Sequence, residues 1–377
     1  MSGKRIIYIN HRMLADDRIR PMLDQYDYDW NSLLSRNQFD PGLTSWYCRQ
    51  GTNTLPFHND IIDVIPKLAM PILDPKFNMN FSDVTDLRCQ ELISKYENRP
   101  WAVLWSGGID STLLVASLLK NTSPADRSQI TIFCNNSSIY ENPRFFHNQI
   151  LPNFSIADSA TNLTELLSKG WLILHGEPGD QIFGHRGSRL FYNNDYGECS
   201  WLHEPDVLLW ALARLQGRQF AEWLYETMKQ NILSVDVEIQ TIRDWFWWLS
   251  FNYCWIAVKL RPQIHFGENH SMQDFLQNCI GWFESLEYQQ WAMNNNAYGA
   301  KNTNNPGDCK KVAKDYINEI YNDSYYYRFK TKVDSDGRIT TARNPWICML
   351  DDLSLVKIDD FDSIADVFVD HVNAKSH

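Results

Sequence analysis

Two short stretches of this chain combine residue types and spacings suited to chemistry. The first, Ser106-Gly107-Gly108-Ile109-Asp110-Ser111, lies between the mostly apolar run Trp101 to Trp105 and a leucine-rich helical pattern. Glycines at a strand-to-helix junction let backbone N–H groups approach a ligand closely, serines add hydroxyl donors, and the following helix offers its positive dipole end. Together these features make an anion cradle, and phosphate is its natural occupant. The plain alternative is an ordinary turn with glycines for tightness. Asp110 argues against it, because a carboxylate beside phosphate is repelled unless a cation lies between them, which points to Mg²⁺.

The second stretch is His175-Gly176-Glu177-Pro178-Gly179-Asp180-Gln181-Ile182-Phe183-Gly184, directly after the apolar Gly170 to Leu174. Here glycines again bring the backbone close to something, and two carboxylates three residues apart enter a helix start. An acidic helix cap is the simpler account, since Asp and Glu favour helix N-termini in any case.

Strands and helices must position these turns. The spacing predicts a first strand over Lys4 to Asn10 and a helix from Ser82 to Tyr96 with Ser82 or Asp83 as N-cap, ended by Glu97 to Pro100. Strand Trp101 to Trp105, helix Ser111 to Lys120 and strand Gln129 to Cys134 follow. A helical pattern over Asn162 to Ser168 then leads into strand Gly170 to Leu174. Apolar runs flanking helical patterns predict an α/β fold with a doubly wound, mainly parallel sheet. Ligands of such sheets sit beyond the carboxyl ends of the strands, so if the phosphate in the cradle belongs to a nucleotide, Cys134 to Asn136 would face its adenine or ribose. From about Glu204 the chain reads largely helical, with Glu238 to Leu260 as one central helix whose aromatic residues pack in the core. Further helices are predicted over Ser271 to Met293 and Cys309 to Tyr321. Phe361, Ile364, Ala365, Phe368 and Val369 fall at helical spacing within the acidic segment Asp351 to Asp370. The organisation expected is an N-terminal region over 1–81, a nucleotide-binding unit with its helical part over 82–350, and an acidic tail over 351–377.

Composition narrows the class. With 377 residues, 44% apolar and 14% aromatic, the chain can bury a large core, and its formal charge of −11 argues against bulk nucleic-acid binding. The eight cysteines contain no C-x-x-C, the closest pair being Cys254 and Cys279, which excludes a paired zinc or redox motif. Scattered cysteines fit a reducing, cytoplasmic setting. The N-terminus does not read as a signal peptide, and the most apolar segment, Trp245 to Val258, is too short and polar to cross a bilayer, so no membrane association is expected.

The first stretch resembles the S-G-G-x-D-S signature of the PP-loop ATP pyrophosphatases, which split ATP between its α- and β-phosphates; no Walker G-x-x-x-x-G-K-[ST] occurs at the site. The second resembles the S-G-E-G-A-D-E-L-F-G-G segment of the asparagine synthetases within that superfamily. Gly176, Glu177, Asp180, Phe183 and Gly184 match in register, whereas His175, Pro178, Gly179, Gln181, Ile182 and His185 depart. Arg328-Phe329-Lys330 is similar to the R-x-K that follows the last large helices of those enzymes. Taken together, the resemblance covers about Ser82 to Gly337. It implies a sheet of the adenine nucleotide alpha hydrolase-like (PP-loop) type, and an ATP site formed by Leu104, Ser106, Gly107, Gly108, Asp110, Ser111, Gly176 and Lys330. It also implies Mg²⁺ held by Asp110 and Asp180, Glu177 as general base, and Lys330 as the catalytic lysine with Lys332 as its alternate.

The implied activity is an AMP-forming ligase joining a small-molecule carboxylate to ammonia or an amine. Asparagine synthetases carry an N-terminal glutaminase whose cysteine follows Met, and this chain begins Met1-Ser2-Gly3. Nitrogen is therefore expected from free ammonia, a separate glutaminase or an amine co-substrate. Two other readings stay open: a PP-loop enzyme adenylating a carbonyl oxygen of a nucleobase or tRNA, and a non-catalytic ATP-binding scaffold of the same fold.

Overall fold

The computed structural model describes Ile6–Tyr8, Arg49, residues 70–184, 195–260, 272–295 and 310–330, Trp346–Met349 and Leu355–Lys357. Strand β1 (Ile6–Tyr8) pairs antiparallel with β7 (Trp346–Met349), and β7 with β8 (Leu355–Lys357). The tail positions Phe361, Ile364, Ala365, Phe368 and Val369, like Lys332, lie outside the described residues.

Five strands, β2 (Trp101–Leu104), β3 (Ile130–Cys134), β4 (Ser155–Asp158), β5 (Leu172–His175) and β6 (Cys279–Gly281), form one parallel sheet in the order β4-β3-β2-β5-β6. Ala102, Val103, Ile132, Leu172, Ile173 and Leu174 are fully buried, as expected where helices cover both faces of a parallel sheet. The chain runs outward from β2 through β3 to β4, then crosses to the other side of β2 to lay down β5 and β6. Strand order therefore reverses between β2 and β5, and the crevice beyond their carboxyl ends is where open α/β sheets bind ligands. The register aligns those ends, with Leu104 opposite His175 on one side and Phe133 on the other. Both chemistry-bearing turns thus begin at the same level of the sheet. The α/β class with a parallel sheet is as expected from the sequence.

Helix α1 (Phe81–Lys95) begins one residue earlier than the spacing predicts. Its N-cap is Asn80, whose side chain accepts the Asp83 N–H at 2.9 Å, and neither Ser82 nor Asp83 takes that role. The extra residue is Phe81, buried against the rings of Phe183, Tyr288 and Trp291. Helix α2 (Ile109–Asn121) packs on α1 and buries Leu113, Leu114, Val115, Ala116 and Leu118. The helices that complete the site are α3 (Asn136–Glu141), α4 (Gly179–Phe183), α5 (Ile242–Trp248), α6 (Leu286–Asn295), α7 (Lys311–Ile320) and α8 (Ser324–Phe329).

Two helical expectations need correction. Glu238 to Leu260 is not one helix. Thr241 and Asp244 form a capping box for α5, a π-helical turn over Leu249–Tyr253 follows, and Trp255–Leu260 resumes the α form. Its aromatic residues do pack in the core: Trp245, Trp247, Trp248, Phe251 and Trp255 are buried, Trp247 donates its indole N–H to the Ile182 carbonyl at 3.2 Å, and Trp248 donates to Asn231 at 2.9 Å. Ser271 to Met293 is likewise interrupted, by the buried edge strand β6 between Met272–Asn278 and α6.

Among the described residues Cys89, Cys134 and Cys279 are free thiols, and burial pushes the Cys89 and Cys279 thiols up to about 12, which leaves them protonated and inert. No described helix is long and apolar enough to cross a membrane.

Candidate active site at the sheet switch point

The first turn is pinned before it reaches its glycines. The Trp105 N–H donates to the Phe133 carbonyl at 2.9 Å, and its indole N–H donates to Thr112 Oγ1 at 3.2 Å, tying strand end to helix start. The Ser106 N–H donates to Ser111 Oγ at 3.1 Å, and Ser111 Oγ donates to the Gly108 carbonyl at 3.2 Å. The serines therefore close the loop across itself.

Gly107 has φ +74°, and a Cβ there would run into the Ser138 carbonyl and come within 2.7 Å of Glu141 Cβ. Both neighbours belong to α3, which follows β3 and is capped by Asn135 accepting the Ser138 N–H at 2.9 Å. Asn135, expected near a base or ribose, is thus occupied in capping. Gly107→Ala combines left-handed backbone strain with a clash against backbone. It is expected to lower stability by about 1–3 kcal/mol or more in chemical denaturation, whereas Gly170→Ala, equally left-handed but with open space around it, pays the strain alone and should cost less.

The second turn meets the first directly. A Cβ on Gly176 would fall 2.8 Å from the Ser111 nitrogen, and one on Gly179 would fall 2.5 Å from Asp110 Cγ, so both glycines are needed for the Asp110 carboxylate to sit where it does. The Glu177 N–H donates to His175 Nδ1 at 3.3 Å, and the Glu177-Pro178 peptide is cis. On the far side a Cβ at Gly281 would collide with the Glu177 carbonyl, so the end of β6 closes the turn from below.

Asp110 and Asp180 converge, as the two motifs together imply, but around a residue that neither motif contains. Lys310 Nζ donates to Asp110 Oδ2 at 2.5 Å and to Asp180 Oδ1 at 2.6 Å, and lies 5.7 Å from the centre of the Phe183 ring. Burial raises the Asp110 carboxyl above its ordinary value; Lys310 pulls it back down, while the Asp180 and Glu177 charges push it further up. Asp110 Oδ1 is buried without a hydrogen-bond partner among the described residues.

Lys330 follows α8 and points to the other side of the cradle. Its ammonium donates to the Glu141 carbonyl at 2.9 Å and to the Glu141 carboxylate, and both side chains are only 6% exposed. Burial pulls the Lys330 ammonium down from its ordinary value, and Glu141 restores part of it. Because Glu141 also packs against Gly107, this ion pair abuts the cradle.

The carboxylates present have the chemistry of a hard divalent cation site. Two carboxylates supply the hard oxygen donors that Mg²⁺ prefers, one of their oxygens is buried and unsatisfied, and glycine backbone lies beside them. Asp110 and Asp180 would hold the metal, and the Ser106–Ser111 turn would face the phosphates. No group of three or more His, Cys, Asp or Glu capable of holding a metal by itself occurs among the described residues, so substrate phosphates would have to complete the shell.

No protein-family model, no curated protein and no solved structure matches this chain.

Proposed function

We propose that the chain is an ATP-dependent ligase that adenylates a carboxylate, releases pyrophosphate and forms an amide with ammonia or an amine. One observation carries this reading: Asp110 and Asp180, from different turns at the sheet's reversal point, share a single cation position against a glycine cradle. A carboxylate oxygen of the substrate attacks the α-phosphorus of ATP, the bond to the β-phosphate breaks, and pyrophosphate leaves. Magnesium, when bound by Asp110 and Asp180, neutralises charge on the phosphates. The Gly107-Gly108 backbone holds the nucleotide, Lys330 meets charge developing on the pyrophosphate side, and Glu177 takes the proton from the attacking nitrogen in the second step.

The expected products of ATP cleavage are AMP and pyrophosphate. A screen of carboxylates by ATP-pyrophosphate exchange, followed by nucleotide chromatography, tests this, and ADP as the sole product would overturn it. A second reading, a nucleotide-binding protein without turnover, is favoured by the Lys310 ammonium standing between the two carboxylates. It predicts ATP binding with no exchange for any carboxylate.

A further inference from the structure

Lys310 sits at the N-cap of α7, the end where a helix dipole disfavours an ammonium. It is held there by the carboxylates of Asp110 and Asp180, at 2.5 and 2.6 Å, with its side chain 10% exposed. Two neighbouring carboxylates in a half-buried crevice need positive charge to remain together. Magnesium dehydrates reluctantly and binds through one or two carboxylates plus substrate phosphates, so it is poorly held before ATP arrives. One position between two carboxylates does not accommodate both an ammonium and a metal ion, because like charges at contact repel strongly. The root of Lys310 is fixed, since α7 packs along α2 behind the cradle, but its flexible four-carbon stem lets the ammonium move.

We propose that Lys310 is the resident counter-cation of the Asp110–Asp180 site in the nucleotide-free protein, and that the divalent cation arriving with ATP displaces its ammonium toward the phosphates. In this arrangement the carboxylates stay paired through the cycle, and a divalent ion binds tightly only when phosphate oxygens accompany it. The proposal rests on Asp110 and Asp180 being the metal ligands of the ligase reading, but not on turnover.

The test uses the full chain without nucleotide and Mn²⁺ as the probe, with free Mn²⁺ followed by electron paramagnetic resonance. Wild-type protein is expected to bind Mn²⁺ weakly. Lys310→Met, which removes the competing charge, should bind it at least about tenfold more tightly, and Lys310→Arg should stay close to wild type. Adding Asp110→Asn to Lys310→Met should abolish the gain. An affinity of Lys310→Met equal to that of wild type, or a gain that survives Asp110→Asn, overturns the proposal.

Should Lys310→Met fail to fold, Lys310→Gln, which removes the same charge and keeps a hydrogen-bond donor between the carboxylates, takes its place: the same gain of at least about tenfold in Mn²⁺ affinity is expected, and an affinity equal to that of wild type overturns the proposal. Absence of pyrophosphate formation with every carboxylate would instead remove the ligase reading and leave these metal-binding outcomes standing.

Discussion

Asp110→Asn and Asp180→Asn are each expected to lower turnover with a proven carboxylate and amine by about two orders of magnitude or more, the usual consequence of losing one strong electrostatic stabiliser. Each substitution keeps the side-chain shape and removes one charge from the pair that surrounds Lys310 Nζ at 2.5 and 2.6 Å. Either variant leaves that ammonium at least one carboxylate partner, so thermal unfolding should stay close to that of the parent chain. Initial rates of pyrophosphate release separate the outcomes. Full activity in either variant would mean that the shared cation position is structural, and the two-carboxylate magnesium arrangement would have to be given up.

The parts of this site that are local in sequence were legible there. Ser106 to Ser111 and Gly176 to Asp180 each combine strand end, glycine, carboxylate and helix start within a few residues, and the aligned ends of β2 and β5 bring them together. Lys310 and Glu141 were not legible. A lysine at a helix N-cap and a glutamate at the end of a six-residue helix read as solvated surface, and only tertiary packing places them against Asp110, Asp180 and Gly107. The edge strands were hidden for related reasons. Ser155–Asp158 is mostly exposed and lacks an apolar run, and Cys279–Gly281 is three residues long inside a helical pattern. The break at Leu249–Tyr253 escaped because a π-helical turn leaves an aromatic stretch buried on every side and disturbs no periodicity.

Lys330→Met is expected to abolish substrate-dependent ATP-pyrophosphate exchange, whereas Glu177→Gln should keep exchange and lose most amide product. The ammonium would meet charge developing in the first step, and the carboxylate acts only when nitrogen attacks. The structure attaches a stability effect to the first variant. The Lys330 and Glu141 side chains are both 6% exposed, so removing the lysine takes an ion-pair partner from a buried carboxylate, at a cost of up to about 3–5 kcal/mol. Loss of exchange in Lys330→Met alone would therefore not separate chemistry from folding. Adding Glu141→Gln removes the buried charge that has lost its lysine: the double variant should regain part of the lost stability in urea denaturation and still show no exchange. Glu141→Gln alone keeps the Glu141 carbonyl that accepts from Lys330 at 2.9 Å, and should retain part of the exchange. If exchange returned together with stability in the double variant, Lys330 would be an anchor for α3 and not a catalytic group. If Glu177→Gln abolished exchange while Lys330→Met spared it, the roles of both residues would have to be abandoned.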